Sequence, residues 1–470
     1  MKIPFHNNII MLGCGAVAQC LQPLLIQHLA MDFSKIIIID PALRPEHLPL
    51  IQLGARYIQQ AITQNNYQQV LSTYAHCGDI IIDLAVDIGS IDLMDWCHKN
   101  NIMYINTSVE LWPEILAQAA TPLQKTLYER HKILLQKAPL WNGSTMIVEH
   151  GANPGLVSHW TKQALLEIAQ NVIIASKKTK RRIALENALS NKDFPELARL
   201  TGTRIIHISE RDTQITNAPK KVNEFVNTWS IPGLHEEATA PAEIGWGTHE
   251  RYHIKHASKL HINDKKSYIH LTTKGMNTWA YSWIPQGPII GMIIRHGEVL
   301  SISDHLTVYK EATPIYRPTV HYVYLPSDST CSSLHELAMH KDVLQKKIRI
   351  LRDEITHGSD ELGVLLLGHD FNGWWTGSSL TIDEARRLVK NQNATTLQVA
   401  ASVLGALFWM IQNPHKGFCF PDDLPHEDIL AVANSYLGTI ISTPTPWQPP
   451  WNLLHHIKDP WRFEHFLVTY

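Results

Sequence analysis

A chain of 470 residues is longer than one ordinary hydrophobic core encloses, so two or three domains are expected. Hydrophobic residues make up 44% and charged residues 18%, below the roughly 25% usual in soluble domains, which excludes a largely disordered chain. Forty-one Lys and Arg balance 43 Asp and Glu to a net charge of -2, so no overall field draws in nucleic acid.

In chain order, Asn8 to Leu12, Lys35 to Asp40, Asp79 to Val86 and Ile102 to Asn106 are apolar runs that alternate with amphipathic stretches. That alternation predicts an α/β fold with an N-terminal Rossmann-type parallel sheet over residues 1–150. From about Thr203 the texture turns to shorter β-rich runs, Arg204 to Ser209, Val222 to Trp229, Lys266 to Thr272 and Pro288 to Arg295. A second, α+β domain for substrate binding and dimerisation is therefore expected over 151–390, with a C-terminal helical segment and arm over 391–470 packing back on the core. Ser333-Leu-His-Glu336 and Thr381-Ile-Asp-Glu384 are capping boxes, the first predicting a helix through the basic stretch towards Leu351. Gly363 to Leu367 and Trp374 to Leu380 read as strands. Thr395 to Ile411 contains Gln398 and Ser402 and is short for crossing a bilayer, so it predicts a buried helix and no membrane partner. Pro444 to Trp451 reads as an irregular surface arm.

The six cysteines, Cys14, Cys20, Cys77, Cys97, Cys331 and Cys419, form no CxxC pair, which favours a reducing, cytoplasmic setting over a zinc ribbon or disulfide framework. The N-terminal apolar run breaks at Gly13, unlike a signal peptide.

Gly13-Cys-Gly15-Ala-Val-Ala18 follows a strand-like run and precedes a helix-like one, the setting in which small residues let a backbone approach a pyrophosphate at a helix N-terminus. The competing reading is a glycine turn in an unrelated α/β domain. The next strand ends in Asp40, a carboxylate suited to ribose hydroxyls, which favours NAD; Arg44 nearby leaves NADP open. Asp87 and Glu110 fall at the C-terminal ends of later strands, where ligands of open α/β sheets gather; their plain reading is helix capping or loop solvation. The middle of the chain concentrates acid and tryptophan: Glu210, Asp212, Trp229, Glu236, Glu237, Glu243, Trp246 and Glu250. Carboxylates and indole faces both attract ammonium groups, so together they can wall an amine pocket; singly, each indole is core filling and each acid is surface. His249, His253, His256 and His261 have metal-like spacings without an attendant ligand pattern, and no metal is expected. Lys177 to Arg182 reads as a solvated basic loop.

Taken together, the motifs resemble the bacterial homospermidine synthase family, NAD-dependent relatives of the saccharopine dehydrogenases. The resemblance runs through MLGCGAVAQ at 11–19, IIIIDP at 36–41, HGANPGLVS at 150–158, HISERDTQ at 207–214, FVNTWS at 225–230, GWGTHE at 245–250, SLHEL at 333–337, DELGVLLLGH at 360–369 and QNATTLQV at 392–399. It implies synthesis of homospermidine from two putrescines with ammonia released, or from spermidine and putrescine, with NAD reduced and reoxidised in one cycle. By motif it implies catalytic roles for Glu210, Trp229, His296 and Asn153, and substrate binding by Asp87, Glu110, Glu237 and Asp360. NAD is assigned to Gly13, Gly15, Ala16, Val17, Asp40, Pro41, Asp87, Thr107 and Asn153. A homodimer is expected from the same resemblance. The alternatives are an imine-reducing dehydrogenase, whose arginines hold substrate carboxylates, and a non-catalytic NAD-binding sensor.

Overall fold

The computed structural model describes residues 2–42, 48–118, 121, 123–175, 177, 179–251, 260–263, 265–450 and 457–468. Ile9–Leu12 lies inside a seven-stranded parallel sheet, flanked by Ile36–Asp40 and Arg56–Gln59 on one side and by Ile80–Asp83, Met103–Asn106, Met146–Ile147 and Phe418–Cys419 on the other. Ile36 to Ile39 are buried on both faces, which is why this strand is a continuous apolar run instead of an alternating one. The last strand comes from the far end of the chain, so the nucleotide-type sheet is completed by a segment more than 260 residues downstream of Met146 and Ile147.

Helix Ala394–Gln412 follows the same logic. It is apolar all round, long enough by composition to cross a membrane, and mostly buried inside the protein. It packs between helices Ala16–His28 and His426–Ala433. Asn393 caps it by accepting from Thr396 N at 2.8 Å and donates its amide to Thr228 O and Leu351 O, tying the helix start to the second domain.

That domain is built on a ten-stranded mixed sheet. Ile205–Asp212 lies inside it, parallel to Thr319–Leu325 and antiparallel to Ser359–His369, which continues through Asn372–Thr381 to Thr439–Thr445. The α/β class with a Rossmann-type sheet and a sheet-containing second domain is as the sequence indicates.

Several local expectations are corrected. Ser333 lies inside a helix, Asp328–Met339, that starts six residues earlier at the Ser327 cap. Its hydroxyl accepts from Val226 N at 2.9 Å, and Glu336 is taken by Asn223 N and Lys220, so neither is free to cap. The helix ends at Met339 because Lys341 and Asp342 take positive φ, and Lys347–Ile350 is a strand parallel to Glu224–Asn227. The basic run is not all loop: Thr179 caps a helix from Lys180, and Arg181 pairs with Asp370. Pro444 and Thr445 end a sheet strand, and Trp447 packs against Phe466; Trp451 lies outside the described residues. Cys20, Cys77, Cys97, Cys331 and Cys419 are free of disulfides.

Candidate active site

Between the two sheets lies a cavity of about 700 Å³, and the strand ends of both domains open into it. On the N-terminal side its floor is the turn after Ile9–Leu12. Gly13 has φ +83°, and a Cβ there would meet Leu84 O at 2.9 Å, so only glycine brings the turn this close to the neighbouring strand. Gly15 begins the Ala16–His28 helix with open space where its Cβ would point and no acidic residue in the first turn. An anion can therefore reach the helix N-terminus without steric or electrostatic opposition. Asp40 accepts from Cys14 N at 2.6 Å and Ala42 N at 2.9 Å, so it fixes the turn while its own residue lines the cavity. Ala16, Val17, Pro41, Asp87 and Thr107 line the cavity as well. These residues fit a dinucleotide: small residues at the turn, a clear helix start and an acid at the second strand end. Arg44, which left NADP open, lies outside the described residues.

Asn153 is carried by a tight turn in which Gly151 N donates to Pro154 O at 2.6 Å. Gly155 has φ +132°, and a Cβ there would sit 1.8 Å from Gly151 O, so this position requires glycine. The turn aims Asn153 Nδ2 at Glu210 Oε2, 3.0 Å away. The same oxygen accepts the Tyr322 hydroxyl. Glu210 and Tyr322 reach each other because their strands run parallel, with Glu210 paired to Tyr324 and Ile208 to Tyr322. Burial pushes Glu210 up to about 7, opposed by the Tyr322 bond and supported by the charge of Asp212.

His296 is clamped: Nε2 lies 3.1 Å from Glu237 Oε2 and Nδ1 lies 3.2 Å from Glu298 Oε1. Burial disfavours its charged form, but Glu298 and Glu237 outweigh that and hold the imidazolium well above the ordinary histidine range. Trp229 is half-buried, lines the cavity and donates Nε1 to Tyr324 Oη at 3.2 Å, which orients the indole. Glu110 is pushed up to about 7 by burial and by Glu236; Asp87 is raised by burial and Glu236 as well.

Asp360 does not line the cavity. It lies behind Thr395, which does, and accepts the Thr395 hydroxyl on Oδ2, while Oδ1 is buried without a hydrogen bond among the described residues. Burial, then the charges of Glu210 and Asp212, hold its carboxyl well above the usual range. The central acid and tryptophan group splits in the same way. Glu210, Trp229, Glu236 and Glu237 line the cavity, whereas Trp246 is core, Glu243 anchors a helix start through Leu127 N and Tyr128 N, and Glu250 accepts from Thr319 Oγ1 and Phe463 N. Among the described residues no group of three or more His, Cys, Asp or Glu is arranged to hold a metal; His253 and His256 lie outside them.

Residues 9–148 match the saccharopine dehydrogenase NADP binding domain, and 151–440 match the saccharopine dehydrogenase C-terminal domain. The chain is 37% identical to a homospermidine synthase from Blastochloris viridis, over 98% of this chain and 97% of that one. It is 36% identical to one from Mesorhizobium japonicum over 98% and 96%. The chain belongs to the homospermidine synthase family. A crystal structure of the Legionella pneumophila homospermidine synthase in complex with NAD superposes with a TM-score of 0.88, at 34% identity, over 100% of this chain and 99% of that one.

Within this family member, several site residues escape sequence reading. Tyr322 sits in a run with nothing to single it out, Thr395 and Gln398 reach the cavity from a helix read only as buried, and Trp112 reaches it from a segment given no reading. Glu298 stands two residues from His296, and that proximity was the available signal.

Proposed function

We propose that the protein is an NAD-dependent homospermidine synthase, joining two putrescines with loss of ammonia, or transferring the aminobutyl group of spermidine to a putrescine with loss of 1,3-diaminopropane. The observation that carries this reading is the sign of the wall. Asp40, Asp87, Glu110, Glu114, Glu210, Glu236 and Glu237 line the cavity with Trp229 and His296, and no lysine or arginine does so among the described residues. Putrescine is a dication at neutral pH, and burying it requires paired carboxylates. An imine-reducing dehydrogenase of carboxylated substrates needs the opposite lining.

Gly13, Gly15, Ala16, Val17, Asp40, Pro41, Asp87, Thr107 and Asn153 would hold NAD, which supplies a hydride acceptor that later returns the hydride. The residues of the chain manage charge and protons. An amine must lose a proton before hydride leaves its neighbouring carbon, and Glu210, with a carboxyl near neutrality and Oε2 steadied by Asn153 and Tyr322, is the group suited to take it. His296 is held as a cation by two carboxylates and so serves to orient Glu237 in preference to acting as a base. Glu237 and Glu110 hold ammonium groups, and the Trp229 face steadies cationic intermediates where charge develops. Because two dications become a trication and an ammonium ion, the protons balance and the proton stored on the protein is returned.

Purified protein incubated with putrescine and NAD is expected to yield homospermidine and ammonia with no accumulation of NADH. NADH formed in step with substrate consumed, without triamine, overturns the reading in favour of a dehydrogenase, and no turnover at all favours the sensor. Two-fold association is part of the reading, on the frequency of closed two-fold oligomers; sedimentation showing monomer alone removes it.

A further inference from the structure

Two arginines stand directly behind the acidic wall without lining the cavity. Arg130 is 4% exposed and Arg295 is 2% exposed. Both donate Nη2 to the same atom, Glu236 Oε1, Arg130 from 2.6 Å. Their Nη1 groups hold backbone carbonyls, Val109 O at 2.7 Å and Lys125 O at 2.6 Å. The Nε of each is buried and has no hydrogen bond among the described residues. Glu243 lies 3.9 Å from Arg295 Nη1 but is engaged by Leu127 N and Tyr128 N. Glu236 faces the cavity itself, with its side chain 29% exposed.

We propose that Glu236 is a specificity-determining residue that sets the sign of the wall, masking Arg130 and Arg295 and so preventing the cavity from accepting a carboxylate. The inference rests on the diamine reading of the cavity. Two guanidinium groups that converge on one oxygen repel each other, and the arrangement persists because a single carboxylate answers both. Burial opposes ionisation of Glu236, but Arg295 and Arg130 outweigh it and hold its carboxyl below the usual range. Without that carboxylate, two cations would remain one side chain behind the cavity with only the longer-range charges of Glu243 and Glu110 to answer them, with Nη2 donors released and Nε donors already spare. Buried charge so incompletely compensated favours an anion. The chemical class that fits is a small carboxylate, a dicarboxylate or an α-amino acid. A diamine would then meet positive charge where it now meets negative, and its affinity should fall by about tenfold or more.

Binding, read by thermal shift of the NAD-loaded protein, tests this without turnover. Putrescine is expected to raise the melting temperature of the wild type and glutarate is not. Glu236→Ala is expected to reverse the two responses, and adding Arg295→Gln to it is expected to abolish the response to glutarate. Should Glu236→Ala not fold, Glu236→Asp retains the charge while withdrawing it from the arginines, and the same titrations are expected to show an intermediate response to both ligands. A folded variant that ignores glutarate and responds to putrescine as the wild type does overturns the proposal. Failure of the wild type to make homospermidine rejects the diamine reading on its own, because the glutarate titrations do not depend on catalysis.

Discussion

Tyr322 places its hydroxyl on the same oxygen of Glu210 that receives the Asn153 amide, so one carboxylate oxygen is held from two elements while Glu210 as a whole faces the cavity. Hydrogen bonds to a carboxylate favour its charged form, and here they oppose the effect of burial. Glu210 as the proton acceptor must be ionised, so the acid limb of kcat/KM is expected near pH 7, where its carboxyl titrates. Tyr322→Phe removes a bond to the charged form, raises the carboxyl further and should move that limb to higher pH; Asn153→Ala should move it the same way by less. An acid limb that stays in place in Tyr322→Phe assigns the proton transfer elsewhere.

Much of this was visible in the chain. The run Ile36 to Asp40 declares a doubly buried strand with an acid at its end, and the Gly13 turn declares its helix, because both signals are local and depend on backbone geometry. The site is less legible for a corresponding reason. Trp229 and Trp246 are alike in sequence, and only the pairing of distant strands makes one a cavity wall and the other core. Ser333 and Glu336 carry the pattern of a helix start, yet residues more than 100 positions away recruit both side chains. Arg130 and Arg295 are 165 positions apart, and nothing in either segment announces that they share Glu236.

Asp40 tests the cofactor end. Its two oxygens hold Cys14 N and Ala42 N, so Asp40→Ala should loosen the turn as well as remove the ribose acceptor. The expected loss of NAD affinity is about 1 to 3 kcal/mol. Equilibrium titration followed by fluorescence measures it, and an affinity equal to wild type refutes the assignment of that strand end.

Asp360 makes a prediction about stability and pH. Its folded carboxyl titrates well above the unfolded value, chiefly through burial and then through Glu210 and Asp212. The folded state therefore keeps a proton that the unfolded state gives up, and this group's contribution is full at low pH and is lost as pH rises from its unfolded value through its folded one. Asp360→Asn, uncharged and of the same shape, should stabilise the substrate-free protein at pH 8 by on the order of 1 to 3 kcal/mol and have little effect at pH 4. Putrescine should narrow the difference by compensating the wild-type charge. Melting curves at the two pH values, with and without putrescine, decide it; an asparagine variant less stable than wild type at pH 8 rejects the account.

Trp229 separates a chemical role from a packing role. The indole is fixed by its bond to Tyr324 and is half-buried against the core, so both roles are structurally available to it. If its face steadies an ammonium or iminium ion, Trp229→Phe weakens and Trp229→Ala removes a contribution of about 0.5 to 2 kcal/mol, larger if desolvated. Turnover should then fall in the order Trp, Phe, Ala. If it only fills volume, the alanine variant loses stability by several kcal/mol through the cavity it leaves, and the molecules that remain folded should turn over normally. Turnover per folded, NAD-loaded molecule must therefore be measured beside thermal stability. The expected result is a graded loss of turnover that persists after correction for the folded fraction; a stable, loaded alanine variant with near-normal turnover rejects the cation-stabilising role.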